Sequence, residues 1–107
     1  MSQRDEKLSE EIRKLAAEYF SRESNRTSLI TVTNVEILSH GSRARILMTV
    51  MPETQEAAVL DFTHRQLSDL KAYIHENSRI ARLPFFEVGI DVGEKNRQRI
   101  EQIEKEL

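Results

Sequence analysis

The stretch "AYIHENSRIARLPFFEVGID", residues 72–91, starts with helical spacing, meets a proline and ends as an apolar strand. Its first half carries His75, Asn77, Ser78, Arg79 and Arg82, and its one acid is Glu76. Pro84 closes the helical pattern, because the residue before a proline avoids helical geometry. "FFEVGID" then has the length and composition of a strand. A cationic, hydrogen-bonding helix end thus runs directly into an element of the core.

Working back from that junction, "ETQEAAVLDFTHRQLSDLKAYIHENSRIAR" is read as one long helical stretch. Thr54 is placed to cap it and Glu56 lies near its positive end. Leu60, Leu67, Leu70 and Ile74 form its apolar face. Before it, Leu29–Leu38 and "RARILMTVMP" are two aliphatic, β-branched runs separated by "SHGS", where Gly41 can take positive φ. Such runs pair antiparallel. In the first run, the parity of Ile30 and Val32 differs from that of Val35 and Ile37, which predicts a bulge or bend at Asn34.

Further out, "KLSEEIRKLAAEYF" places Leu8, Ile12, Leu15 and Tyr19 on one helical stripe, widened by Ala16 and Phe20. The polar "SRESNRTS" follows as a loop. At the other end "EKNRQRIEQIEKEL" is a final helix with Ile100, Ile103 and Leu107 on one side. The predicted class is α+β, in the order helix, strand, strand, helix, strand, helix. A three-stranded sheet is packed by helices, with the long helix as a crossover over one face.

The 107 residues, 38% of them hydrophobic, suit a single small domain over residues 1–107. With no cysteine, neither disulfides nor thiolate metal sites hold the fold. "SQRDEKLSEE" after Met1 is too polar for a signal peptide, and no apolar run approaches membrane-spanning length. The expectation is a soluble, cytoplasmic, monomeric chain with no membrane partner. The net charge is -2, yet residues 22–45 and 64–82 each carry +2. Local fields, more than the total, govern contacts with phosphate.

On a straight helix at ~100° per residue, His64, Lys71, His75, Arg79 and Arg82 fall within roughly 80° of one another, and Arg65 lies about 40° further round. This side points away from Leu60, Leu67 and Ile74, so one helix can pack and bind at once. It fits a phosphate-tracking surface whose cations each contribute modestly and salt-sensitively. Asn77 and Ser78 can add hydrogen bonds to sugar or base, and Arg22, Arg26, Arg43 and Arg45 join if the fold brings them to the same side. The same residues also fit an ordinary solvated helix face.

Other chemistries find little footing. His64 and His75 stand about 16 Å apart along a helix, too far to share a metal. Glu87 and Asp91 read as solvated strand-end carboxylates. Tyr73, Phe85 and Phe86 read as core aromatics more readily than as base-stacking platforms. There is no nucleophile-elbow serine and no glycine-rich phosphate loop. Neither catalysis nor a cofactor or small-molecule substrate is expected.

Taken together, "RTSLITVTNVEIL", "SRARILMTVMPE", "LKAYI" and "LPFFEVGIDVGEKNRQRIEQI" resemble ribosome-binding factor A, a family of bacterial assembly factors of the small ribosomal subunit. The likeness spans nearly the whole chain and rests on the joint order and spacing of these segments. It implies a type II KH-like fold without the GxxG loop by which ordinary KH domains clamp nucleotides, and no GxxG occurs here. In the family a small residue, usually glycine, kinks the long helix; Ala72 occupies that place here, giving helix, kink, helix between the second and third strands. Alanine favours an uninterrupted helix over glycine by about 1 kcal/mol. His75 stands where the family commonly has arginine, and His40 where its turn often has aspartate. The segment from Ile74 to Pro84 is about one helical turn shorter than usual in the family. The resemblance implies binding to the small (30S) subunit precursor through its rRNA, late in 16S rRNA maturation, without catalysis or cofactor. Lys71, Arg79 and Arg82 are then the principal RNA-binding candidates, with His75, Arg65, His64, Asn77, Ser78, Arg43 and Arg45 around them. The competing reading is a protein–protein adaptor using the sheet edge or the C-terminal helix.

Overall fold

The computed structural model describes residues 3–23 and 28–106. The order is α1 (Gln3–Glu23), β1 (Leu29–Leu38), β2 (Arg43–Met51), α2 (Glu56–Arg65), α3 (Leu67–Asn77), β3 (Phe85–Ile90) and α4 (Val92–Glu106). It is the α+β arrangement expected from the sequence. The predicted loop at residues 21–28 is only partly described: α1 continues through Glu23, and 24–27 lie outside the described residues, as does Leu107.

The sheet has the order β1-β2-β3. β1 pairs antiparallel with β2, and β3 pairs parallel with β2, with Ala44 opposite Phe86 and Ile46 opposite Val88. The bulge predicted at Asn34 lies one residue earlier, at Thr33, between the pairs Val32–Met48 and Asn34–Leu47. It lets Val32 and Val35, three apart, both face the core. The turn between β1 and β2 spans Ser39–Gly41, with positive φ at Ser39, His40 and Gly41. Gly41, at φ +91, is the residue for which that conformation carries no Cβ penalty.

One face of the sheet carries Val32, Val35, Ala44, Ile46, Met48, Val50 and Phe86 into a cluster with Ile12, Leu15, Ala16, Tyr19 and Phe20 of α1, Val59 of α2, and Leu70 and Ile74 of α3. The α1 stripe is therefore as predicted, with Leu8 at its partly buried end.

The long helix is not continuous. Glu53–Gln55 form a 3-10 turn, and α2 starts at Glu56 with no side-chain cap, so Thr54 does not cap it. The break between α2 and α3 lies at Gln66 (φ -88, ψ 0), not at Ala72, which sits inside α3. Two forces place it there. The Gln66 N–H is shared between the carbonyls of Phe62 and Thr63, tightening the last turn of α2. The Tyr19 hydroxyl donates to Gln66 Oε1 at 2.7 Å, fixing the break to α1. Alanine, the best helix former, has no reason to yield first. The break also rephases the apolar positions: α2 buries Val59 and Thr63, while Leu60 is only partly covered.

α3 ends at Asn77, seven residues before Pro84. Asn77 Nδ2 donates to the Tyr73 carbonyl at 2.8 Å, and Ser78 turns extended (φ -142, ψ 172). Ser78 Oγ then accepts the Ile80 N–H at 3.3 Å. Such local side-chain bonds compete with helix continuation. Residues 78–84 form an irregular return that leads to β3, whose first N–H, on Phe85, donates to the Ser42 carbonyl at 2.9 Å.

Candidate nucleic-acid interface

The straight helix expected from residue 64 to 82 does not exist: α2 ends at Arg65 and α3 at Asn77. Part of the predicted cluster forms nonetheless, by a different route. The return segment folds back along α3, so that Ser68, Lys71, Ala72 and His75 of α3 line one groove with Ala81, Arg82 and Leu83. An adjoining groove shares Ser68 and Lys71 and adds His64, Leu67, Phe85 and Phe86. Lys71 therefore stands between two depressions, with His75 and Arg82 on one side and His64 and Phe85 on the other.

Charge on α3 is segregated. At ~100° per residue, Ser68, Lys71, Ala72 and His75 cover one side, and Asp69 and Glu76 lie roughly 140–160° from Lys71. Lys71, Arg79, Arg82, His64 and His75 are exposed, and none forms an ion pair among the described residues. Arg79 is exposed in the return segment but lines neither groove.

The remaining predicted residues are engaged elsewhere. Arg43 and Arg45 lie on the sheet face opposite the core, where both hold Glu87; Arg45 Nε is 3.4 Å from Glu87 Oε2 and Arg45 Nη1 4.0 Å from Glu36. Hydrogen bonding from Arg43, more than the field of Arg45, holds the Glu87 carboxyl below its ordinary range. These two arginines are not gathered with Lys71, because strand alternation sends them across the sheet from Ala44 and Ile46. Arg65 pairs with Asp61 at 3.2 Å. Asn77 and Ser78 spend their side chains on the helix end. Arg22 lies over the Tyr73 ring at 5.7 Å, on the α1 side of α3; Arg26 is outside the described residues.

One functional candidate was missed. Phe86 is 5% exposed, but Phe85 is 67% exposed and lines the groove with Lys71 and His64. Strand parity carried the signal: if Phe86, Val88 and Ile90 face inward, Phe85 must face out. An exposed aromatic ring beside an unpaired lysine is the combination on which single-stranded bases stack while phosphates are held. Among the described residues there is no group of three or more histidines and carboxylates able to hold a metal, and no helix long and apolar enough to cross a membrane.

Comparison with solved structures connects this geometry to a known fold. The crystal structure of ribosome-binding factor A from Thermus thermophilus superposes with a TM-score of 0.68, at 24% identity, over 78% of this chain and 91% of that one. The fold is that of ribosome-binding factor A. The KH-like arrangement expected from the sequence thus holds, with its helix break at Gln66. No family model matches the chain, and no curated protein sequence matches it. The likeness to ribosome-binding factor A is therefore one of fold.

Proposed function

We propose that this chain is a ribosome-binding factor A-like assembly factor that binds the small (30S) ribosomal subunit precursor through its rRNA and assists late 16S rRNA maturation. One observation carries the reading: Lys71, His75 and Arg82 converge on one groove with no carboxylate to neutralise them, on a fold shared with a ribosome-binding factor. An unneutralised cation gains by meeting phosphate, whereas a guanidinium already held by a carboxylate must first give it up. His64 and Phe85 extend the surface, so that backbone and an unstacked base can be held together. No reaction is required. Preferential binding to one rRNA conformation shifts the population toward it. The factor works in the cytoplasm as a single KH-like RNA-binding domain, without cofactor.

Because Arg82 lines the groove and Arg79 does not, the decisive variant is Lys71→Glu with Arg82→Glu. It is expected to leave thermal stability nearly unchanged, since both side chains are exposed, and to abolish co-sedimentation with immature small subunits. Undiminished co-sedimentation of the double variant would overturn the assignment. A salt series separates the competing adaptor reading: RNA contacts weaken steeply as salt rises, and an apolar protein interface does not.

A further inference from the structure

The two grooves that meet at Lys71 have the same make-up. The first takes its apolar lining from Leu67, Phe85 and Phe86, and His64 joins them. The second, between α3 and the return segment, takes its apolar lining from Ala72, Ala81 and Leu83, and His75 and Arg82 join those. Ser68 and Lys71 line both, and no carboxylate lines either. The groove beneath α4 differs: Glu53 and Glu101 line it, and Glu53 pairs there with both Lys95 and Arg99. An apolar and cationic surface without acids suits a ligand that alternates flat apolar faces with negative charge. A strand of bases and phosphates is such a ligand.

We infer, resting on the RNA-binding role proposed above, that the grooves are two base subsites for single-stranded RNA on either side of one phosphate held by Lys71. One base lies against the ring of Phe85, which is 67% exposed and so open to stacking. The phosphate next along the strand meets Lys71, with the Ser68 hydroxyl as a second donor. The neighbouring base lies over Ala72 and Ala81, and its other phosphate reaches Arg82. Spacing selects one strand over two. Leu67 and Ala72, one in each groove, are five residues apart on α3, ~7.5 Å along its axis. Bases in a duplex strand stack every ~3.4 Å, with their edges paired, so a duplex cannot seat neighbouring bases in both grooves. An unstacked single strand can. Side-chain size then sets entry to the second groove. Ala72 and Ala81 are both exposed and short, and a longer apolar side chain at either position fills the space of the base while leaving Lys71 and Arg82 in place.

Fluorescence anisotropy of the full chain tests this at one salt concentration. The probes are a labelled, unstructured RNA of about eight nucleotides, the same RNA annealed to its complement, and inorganic polyphosphate as a competitor with charge but no bases. The single strand should bind about tenfold more tightly than the duplex, and Ala72→Leu and Ala81→Leu should each cost it about tenfold, the scale of one seated base. Neither variant should change the affinity for duplex or polyphosphate, and unchanged melting temperatures check that the fold is intact. Equal affinity for single strand and duplex overturns the two subsites, as do leucine variants that bind the single strand like the wild type. A leucine variant that loses polyphosphate equally acts on the charges and not on a base, and overturns them too. In each of those cases the assembly-factor reading stands if Lys71→Glu with Arg82→Glu loses co-sedimentation with immature small subunits. Undiminished co-sedimentation of that double variant overturns the reading and the subsites together.

Discussion

The Tyr19 hydroxyl and Gln66 Oε1 lie 2.7 Å apart, joining α1 to the single residue that separates α2 from α3. Tyr19 also packs edge-on to Phe20 and against Tyr73, with ring centroids at 5.4 and 5.5 Å. The break in the crossover helix is thereby tied to the core and does not hinge freely. It sets where α3, and so Lys71, stands against β3.

Tyr19→Phe keeps the rings in contact and removes the bond. A part-buried hydrogen bond of this kind contributes about 1 kcal/mol, so the melting temperature should fall by about 4–8 °C for a chain of this size. Thermal unfolding followed by circular dichroism measures it. An unchanged melting temperature would mean that Gln66 finds water as good a partner.

The groove and the sheet face should differ in their salt response. Lys71→Ala and Arg82→Ala should each flatten the dependence of log affinity on log salt by about 0.7, the value of one phosphate contact on single strands. Arg43→Ala should leave that slope alone, because its guanidinium is committed to Glu87. Titration of a single-stranded rRNA oligonucleotide at several salt concentrations reads all three.

Phe85→Ala should weaken binding to the same oligonucleotide by about 1–3 kcal/mol, the range for losing one stacked base. Its melting temperature should hardly move, since the ring is mostly solvated in the free protein. Phe86→Ala, by contrast, empties a core position and should cost about 3–5 kcal/mol of stability.

The seat of α4 should respond to acid. Lys95, and after it Arg99, pull the Glu53 carboxyl from an ordinary value of 4.5 to about 2. A carboxylate held lower in the folded state stabilises fully above its unfolded value, and loses that contribution as pH falls from about 4.5 through 2. Carbon-13 titration of Glu53 should show the low midpoint in the wild type. In Lys95→Met with Arg99→Met the midpoint should return toward 4.5.

A second anchor of α4 is independent of Glu53. Asp91 Oδ1 accepts the Glu94 N–H at 3.0 Å as an N-cap, and its Oδ2 accepts the hydroxyl of Thr33, the bulge residue, at 2.6 Å. Asp91→Ala should therefore cost about 0.5–2 kcal/mol, seen as a lower denaturant midpoint and weaker amide protection at the start of α4. The carboxylate that seemed merely solvated at a strand end proves to join the bulge of β1 to the start of α4.

Patterns local to the chain were legible without coordinates. The α1 stripe, the bounds of β1 and β2, the turn at Gly41, the irregularity near Thr33 and the strand after Pro84 all follow from periodicity and backbone permission, which operate over a few residues. The element order led to the α+β class, and the resemblance to ribosome-binding factor A to the KH-like fold. What the sequence could not settle was how those pieces meet. A wheel drawn from His64 to Arg82 presumed an unbroken helix, although Asn77 and Ser78 are residues whose side chains compete for the backbone. The Tyr19 contact, from 47 positions away, helps to fix the break at Gln66. Lys71 and Arg82 come together because the chain reverses after Asn77, and Arg43 and Arg45 are neutralised because β3 lies beside β2 in parallel register. Helix phase and strand parity are short-range properties of the chain. The pairing of a charge depends on which distant segment packs beside it, and that is decided only when the core closes.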